Sequence, residues 1–500
     1  MSHDLKQGFQ SLVSAKLATS IIGAATLPLV VRVLGPGKYG DYAFLMSTFS
    51  LLMLVVTPAV TEGVQKFVAE DRDRPDWRAH VFGFYLQLAL VLAAVGSLAL
   101  AAVTWAGVVE HYLGSRFTIF FYVLSTHVVF TQLKVLTRHT MLGLGLERYS
   151  EGFLVLLKVI SRGVGLALAF VGFGVVGFLA ADALAAVVFV AAGWLVLRGH
   201  ISLSESLRTR PDVPVRELLS FNGLNVVTIL LMMSLLHVDV MMVRLLEGDA
   251  SAGYYKAALV IAGYVLLVSR SLQSLMLHSA SRLWSQGRTD RIESLASRLT
   301  RYVFLVTALF AVGIFVLADR ALPLYFGPAF TASVRPLAVL LPGVVGFALA
   351  RPIYGINKGS GRLGPLVYAL AATAVINVVA NAALIPRYGL TGAAVATSLS
   401  YGLMFAFQSG CARYLGYSPL EDLRPLRLVA TVAPTLAVLV VVEGAIVSDY
   451  LALAVVPPLG FALFVALALL TGALDRTEFD QAVRILPAPI HRHVPRIGVD

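Results

Sequence analysis

The side chains in this chain that could do chemistry are basic ones set in apolar surroundings. Lys158 and Arg162 lie one helical turn apart and share a face, and Arg270 and Arg351 stand in later apolar stretches. Each would cost about 2.5 to 3.5 kcal/mol facing lipid at mid-membrane, so these four, with Lys16 and Lys134, are expected to face protein or a wet cavity. Lys16 and Lys134 have a second option, snorkelling to the headgroups. Asp182 and Asp239 are the obvious embedded acids, and they are the candidates for coupling transport to an ion. Embedded cations outnumber embedded anions, which suits a cargo carrying phosphate or carboxylate. Asn222, Asn225, Asn377 and Asn381 add neutral donors and acceptors of the kind sugar hydroxyls need, with interhelical hydrogen bonding as their competing role. His127, Thr131, Lys134 and Arg138 form a stripe with helical steps, and Glu62 with Lys66 reads as an ion pair at a helix end.

Catalytic patterns do not survive inspection. Gly172-Phe-Gly174-Val-Val-Gly177 has the spacing of a dinucleotide loop, but it lies between two apolar runs, with no strand and no acidic ribose ligand beside it. Asp71-Arg-Asp73 has the form of a metal-diphosphate clamp, yet Arg72, Arg74 and Arg78 surround it, as in a solvated charge cluster. No zinc-protease, nucleophile-elbow or Walker sequence occurs, so no enzyme activity, cofactor or metal is expected. Cys411, the single cysteine, sits among apolar neighbours as a buried bystander.

The elements that must position these residues follow from composition. Of 500 residues, 58% are hydrophobic and 13% charged, and the mean hydropathy is +0.82, so an all-α polytopic membrane protein is expected. About fourteen apolar runs are long enough to span a bilayer. The N-terminus lacks the pattern of a cleaved signal, so the first run is expected to stay as a helix. The chain also repeats itself: Arg32-to-Tyr42 resembles Arg244-to-Tyr255, and the interval from Gly40 to Gly253 equals that from Tyr42 to Tyr255. Arg148 to Arg362, and Gly174/Gly177 to Gly389/Gly392, fall within two residues of the same interval. Two six-helix lobes related by pseudo-two-fold symmetry are therefore expected, at 1–197 and 217–415, joined by a cytoplasmic linker at 198–216. Two further helices at 416–472 and a cytoplasmic tail at 473–500 complete the chain. Lysine and arginine crowd alternate loops, which places both termini in the cytoplasm of a cell that carries this protein in its plasma membrane. The net charge of +11 reflects that asymmetry and attraction to an anionic leaflet; no nucleic-acid partner is expected.

Three stretches carry a family resemblance over nearly the whole chain. They are Arg32-x-Leu34-Gly35-x-x-x-Tyr39-Gly40-x-Tyr42; Asp239 followed by Gly253-x-Tyr255-x-x-Ala258; and Asn377-x-x-x-Asn381-x-x-Leu384-Ile385-Pro386-x-Tyr388-Gly389-x-x-Gly392-Ala393-Ala394-x-Ala396-Thr397. The chain resembles the polysaccharide or oligosaccharide-lipid flippases of the multidrug/oligosaccharidyl-lipid/polysaccharide exporter superfamily. That resemblance implies an alternating-access carrier that turns a polyprenyl-phosphate-linked glycan across the cytoplasmic membrane, with the bilayer and glycan-assembly enzymes as partners. Two alternatives stand beside it. A cation-coupled multidrug exporter of the sibling family would place carboxylates in the cavity, and a membrane glycosyltransferase or glycan polymerase would carry a long outer loop.

Overall fold

The computed structural model describes residues 3–70, 76–206 and 223–485. Asp71, Asp73, Asn222 and most of the 198–216 linker lie outside the described residues, as do the side chains of Glu62 and Asn225. Among the described residues every regular element is helical. Ten helices are long and apolar enough to cross a membrane, or eleven when Asp249–Tyr264 and Leu267–Ser285, bent by 58°, count as one broken span.

Three of these helices are far longer than a bilayer needs: His3–Val56, the run Glu147–Leu197, and Leu363–Tyr414. At 1.5 Å per residue each would reach well past a hydrocarbon core of about 30 Å. Each is broken at glycine, at Gly35 (φ 68), at Gly172 and Gly174 (φ 104 and 51) and at Gly389 (φ 56). A side chain would strain that backbone, and without a polar loop the helical hydrogen bonding resumes at once on the far side. The backbone repeats where the sequence does. Gly174 (ψ −123) and Gly389 (ψ −135) adopt nearly one conformation. Gly35 and Gly248, and Gly114 and Gly327, are further positive-φ pairs at the interval that separates Gly40 from Gly253.

The chain forms two compact units. The first comprises Met1–Ala257, Tyr325–Ala332 and Leu370–Ala396. Its core packs Phe67, Phe82, Tyr85, Leu136 and Leu197, and Trp77 Nε1 donates to the Phe67 carbonyl at 2.9 Å. Glycines let backbones close up here: a Cβ on Gly143 would press on the Gln65 backbone, and one on Gly63 would collide with the Tyr85 ring.

The second unit comprises Ala258–Leu324, Ser333–Ala369 and Thr397–Asp500. Gly343 packs directly on the Ser398 backbone and Gly355 on that of Gln273. Thr289–Phe326 carries the last two apolar helices, Pro425–Ala445 and Asp449–Leu470, against it. Two arginines fasten them. Arg301, fully buried, meets Glu478, Asp422 and the Ala473 carbonyl. Arg320 meets Glu443 and donates to the carbonyls of Glu443 and Ile446.

Candidate functional site

In the first unit, Glu147–Leu168 presents Lys158, Ser161 and Arg162 toward Gly174–Leu197, which carries Asp182, and toward the second half of His3–Val56, which carries Tyr42. Asp182 is the hub. Tyr42 donates to its Oδ2 at 3.1 Å and Ser161 donates to its Oδ1. Arg162 hydrogen-bonds Tyr42 and lies within Coulombic reach of Asp182, as do Lys158, Lys134 and His127. Several bases thus surround one carboxylate, an arrangement with positive charge to spare. The Lys158 stem packs near Gly23, where a Cβ would stand 3.7 Å from its Cε.

The stripe on Arg116–Gly143 divides. His127 stacks on Phe49 and bonds Thr131 at 3.3 Å, Lys134 lies within Coulombic reach of Asp182, and Arg138 pairs with Glu151 at 2.7 Å. Lys16 is exposed.

Asp239 is buried elsewhere in the same unit. Asn381 Nδ2 donates to its Oδ1 at 2.9 Å and to the Asn377 carbonyl at 2.9 Å, and Tyr255 OH lies 3.5 Å from Oδ2. Asn377 and Asn381 are both fully covered, and Asn381 Oδ1 has no donor among the described residues. A carboxylate and amide oxygens gathered this way could take a proton or a hard monovalent cation, and no set of three His, Cys, Asp or Glu side chains suited to a metal occurs among the described residues.

Arg270 and Arg351 both lie in the second unit, with Arg351 within Coulombic reach of Arg270. Arg351 is 7% exposed, donates from Nη1 to Gln273 Oε1 at 2.8 Å, and lies over the Phe347 ring with Cζ 4.8 Å from its centroid. Arg270 is exposed.

Sequence reasoning passed over a further cluster in the first unit. Asp41, 1% exposed, receives Arg244 Nε at 2.7 Å and has Arg116 Nη2 at 3.0 Å; the same Nη2 donates to Asp249 at 2.8 Å. Beside it, the helix starts that carry Gly40 and Gly253, just after the breaks at Gly35 and Gly248, meet backbone to backbone. A Cβ on Gly40 would strike the Asp249 carbonyl, and one on Gly253 that of Pro36. The helix starts that follow the repeated turns therefore pack on each other. Lys256 and His237 were also passed over; His237 bonds Ser47 at 3.3 Å, and Lys256 lies within reach of its charge.

Residues 5–274, more than half of the chain, match the family described as polysaccharide biosynthesis protein. The chain belongs to that family. Residues 225–383 of this polysaccharide biosynthesis family member also match the MatE family. Over 229 residues it is 27% identical to a probable low-salt glycan biosynthesis flippase of Haloferax volcanii, covering 44% of this chain and 48% of that protein. An uncharacterised membrane protein of Methanocaldococcus jannaschii is 22% identical over 160 residues, 32% of each chain. The chain thus spans about half or less of the length of these curated relatives. Among solved structures, the lipid II flippase MurJ in an inward closed conformation aligns with a TM-score of 0.69 at 13% identity, over 91% of this chain and 97% of that one. An inward-facing multidrug resistance MATE family transporter of the MOP superfamily aligns with a TM-score of 0.63 at 15% identity, over 78% and 92%. At these identities the likeness is one of fold.

Proposed function

We propose that this member of the polysaccharide biosynthesis family is a flippase, not an enzyme. It moves a polyprenyl-phosphate-linked oligosaccharide or polysaccharide repeat unit across the plasma membrane by alternating access. The family match over residues 5–274 carries the reading, and the named flippase of Haloferax volcanii supports the cargo class. Counting each of the three overlong helices as two crossings at its glycine break, and the bent pair as one span, makes the ten long apolar helices compatible with fourteen crossings. In this reading two six-helix lobes stand at 1–197 and 217–415, with two added helices at 416–472, and the repeated glycine turns support the division. With both termini and the 198–216 linker cytoplasmic, the Asp41, Arg116, Arg244 and Asp249 cluster lies at the outer surface.

In this reading Lys158, Arg162, Arg270 and Arg351 serve the phosphate of the cargo, and Asn222, Asn225, Asn377 and Asn381 serve the glycan or the helix contacts beside it. Asp182 and Asp239 serve coupling, and glycan-assembly enzymes supply the cargo. The MatE match makes a cation-coupled drug exporter the second reading. Against it, the embedded bases outnumber the embedded acids, and Lys158 and Arg162 beside Asp182 would repel an organic cation.

Proteoliposomes holding the full chain test this. A polyprenyl-diphosphate-linked oligosaccharide loaded on one leaflet is expected to become accessible to an impermeant glycosidase on the other. Arg162→Glu should slow the exchange at unchanged protein abundance, through repulsion of the phosphate. No exchange by the wild-type chain would refute the flippase reading. Rescue of Arg162→Asp by Asp182→Arg would reassign Arg162 to a structural ion pair.

A further inference from the structure

Tyr302, Val306 and Leu309 on Thr289–Phe326 form one wall of a cleft of about 530 Å³ in the second unit. Phe461 and Val465 on Asp449–Leu470 form the other, and Phe479 of the short tail helix Arg476–Ile485 joins them. Steps of four and three along the first wall, and of four along the second, set these side chains on one stripe of each helix. Phe461 is 59% exposed, so the cleft opens to the outside of the molecule and, between two apolar helices long enough to cross a membrane, to the bilayer. Its walls are apolar, and the acid at its rim is already occupied: Glu478 accepts from Tyr302 OH at 2.6 Å, from Arg301, and from the Asp475 amide at 3.1 Å. A void there would leave the wall atoms without contacts and offer water too few partners, so hydrocarbon is what fits.

One turn before Tyr302, on the same stripe, stands Arg298, exposed and within Coulombic reach of the Tyr302 ring. It donates to Ser294 Oγ at 2.8 Å and to the Ser294 carbonyl at 3.3 Å, which turns the guanidinium toward the start of the helix and away from the apolar depth of the cleft. Arg301 and Arg424 differ from it in being taken up by acids, the first by Asp422 and Glu478, the second by Asp422 and Asp475. Among the described residues no carboxylate pairs with Arg298. A single helix face thus carries an unneutralised cation and, beyond it, an apolar slot. Arg298 and Leu309 lie eleven residues apart, about 16 Å at 1.5 Å per residue, close to half of a hydrocarbon core of about 30 Å. That is the shape of one leaflet's lipid, with its charge at one end and its chain at the other.

We propose that this cleft binds an anionic phospholipid of the inner leaflet, with one acyl chain between the two helices, its phosphate at Arg298, and Phe479 of the tail helix packed on the chain. Arginine suits the phosphate oxygens, and anionic lipid gathers on the cytoplasmic face, where the tail is placed above. The lipid is a constituent of the protein and not its cargo, so the inference stands apart from the flippase reading. It also gives the tail helix a task, since that helix docks partly on the lipid it covers.

The test titrates the full chain in detergent with dioleoyl phosphatidylglycerol, dioleoyl phosphatidylcholine and undecaprenyl phosphate, and reads bound lipid by native mass spectrometry. Wild type is expected to hold its first phosphatidylglycerol at least about tenfold more tightly than phosphatidylcholine. Arg298→Gln, in an exposed side chain, should remove that preference and leave the lipid-free Tm unchanged. Val306→Trp fills the cleft and should weaken both phospholipids by at least about tenfold. Should it lower the lipid-free Tm, Val465→Trp on the opposite wall must show the same loss. Bound phosphatidylglycerol should also raise the protection of Arg476–Ile485 against amide exchange in wild type and not in the filled variant. Equal binding of the two phospholipids, a full preference kept by Arg298→Gln, undiminished binding in the filled cleft, or protection that lipid leaves unchanged overturns the site. Displacement of phosphatidylglycerol by equimolar undecaprenyl phosphate overturns the phospholipid assignment and gives the cleft to a polyprenyl chain.

Discussion

Asp41 shows what a single side chain holds together. It is almost wholly covered and takes Arg244 and Arg116 on its two oxygens, while Arg116 also reaches Asp249. Removing a buried anion strands its partners, and Asp41→Asn should cost about 3 kcal/mol of stability, at the low end for a broken buried pair because Arg116 keeps Asp249. Adding Arg244→Gln should restore part of that loss in a double-mutant cycle read by thermal unfolding. Additive losses would mean that the two charges do not depend on each other. The embedded bases were legible because a charge in an apolar run stands out. Asp41 was not, since it sits in a Tyr-Gly-rich turn that reads as scaffold, and its burial depends on Arg244 far along the chain. Glu151 hid for a similar reason: placed near the start of a helix it looks solvated, and only the helix geometry brings Arg138 to it.

At the scale of elements, hydropathy located the apolar runs and the repeat located the turns. The Gly174 and Gly389 turns were readable because positive φ demands glycine, whereas the pairing of Gly35 with Gly248 and of Gly114 with Gly327 came to light only in the backbone. What hydropathy could not tell was that three turns lack any loop, so that neighbouring apolar runs continue as one helix broken at glycine. The fastening of the last two helices was equally hidden, because Arg301 and Arg320 are ordinary charges until their partners arrive from far along the chain. One part of that fastening depends on pH. The Arg424 fork holds the Asp475 carboxyl below its ordinary range, with bonds of 2.8 and 2.9 Å. A depressed folded pKa contributes stability that is complete above the unfolded value and lost as pH falls through the folded one. Asp475 is well exposed, so the effect is modest. Acidification from pH 7 to below the usual carboxylate range should therefore lower the protection of Arg476–Ile485 against amide exchange, measured relative to the intrinsic rate at each pH, and Asp475→Asn should show lower protection at pH 7 and lose most of that pH response. A pH response in Asp475→Asn equal to that of wild type would assign it to other groups.

For the whole molecule, the charge distribution across loops makes a topological statement that labelling can check. In a Cys411→Ala background, Glu205→Cys should be protected from membrane-impermeant reagents added to intact cells and exposed when the membrane is opened. Ready labelling from outside would invert the assignment of every loop. The two arginines that fasten the last helices bear on the bilayer itself. Arg301 and Arg320 lie nineteen residues apart on one helix, which at 1.5 Å per residue is about 28 Å, close to the thickness of a hydrocarbon core. If both ion clusters sit at headgroup boundaries, the pair should act as a gauge of membrane thickness. Lipids with longer chains would drag one ion cluster into hydrocarbon, and the helix cannot tilt freely while both ends are pinned to Pro425–Ala445, Asp449–Leu470 and the segment after them. Thermal stability in reconstituted bilayers should then peak at one acyl length, and Arg320→Met should flatten that peak by releasing one end of the gauge.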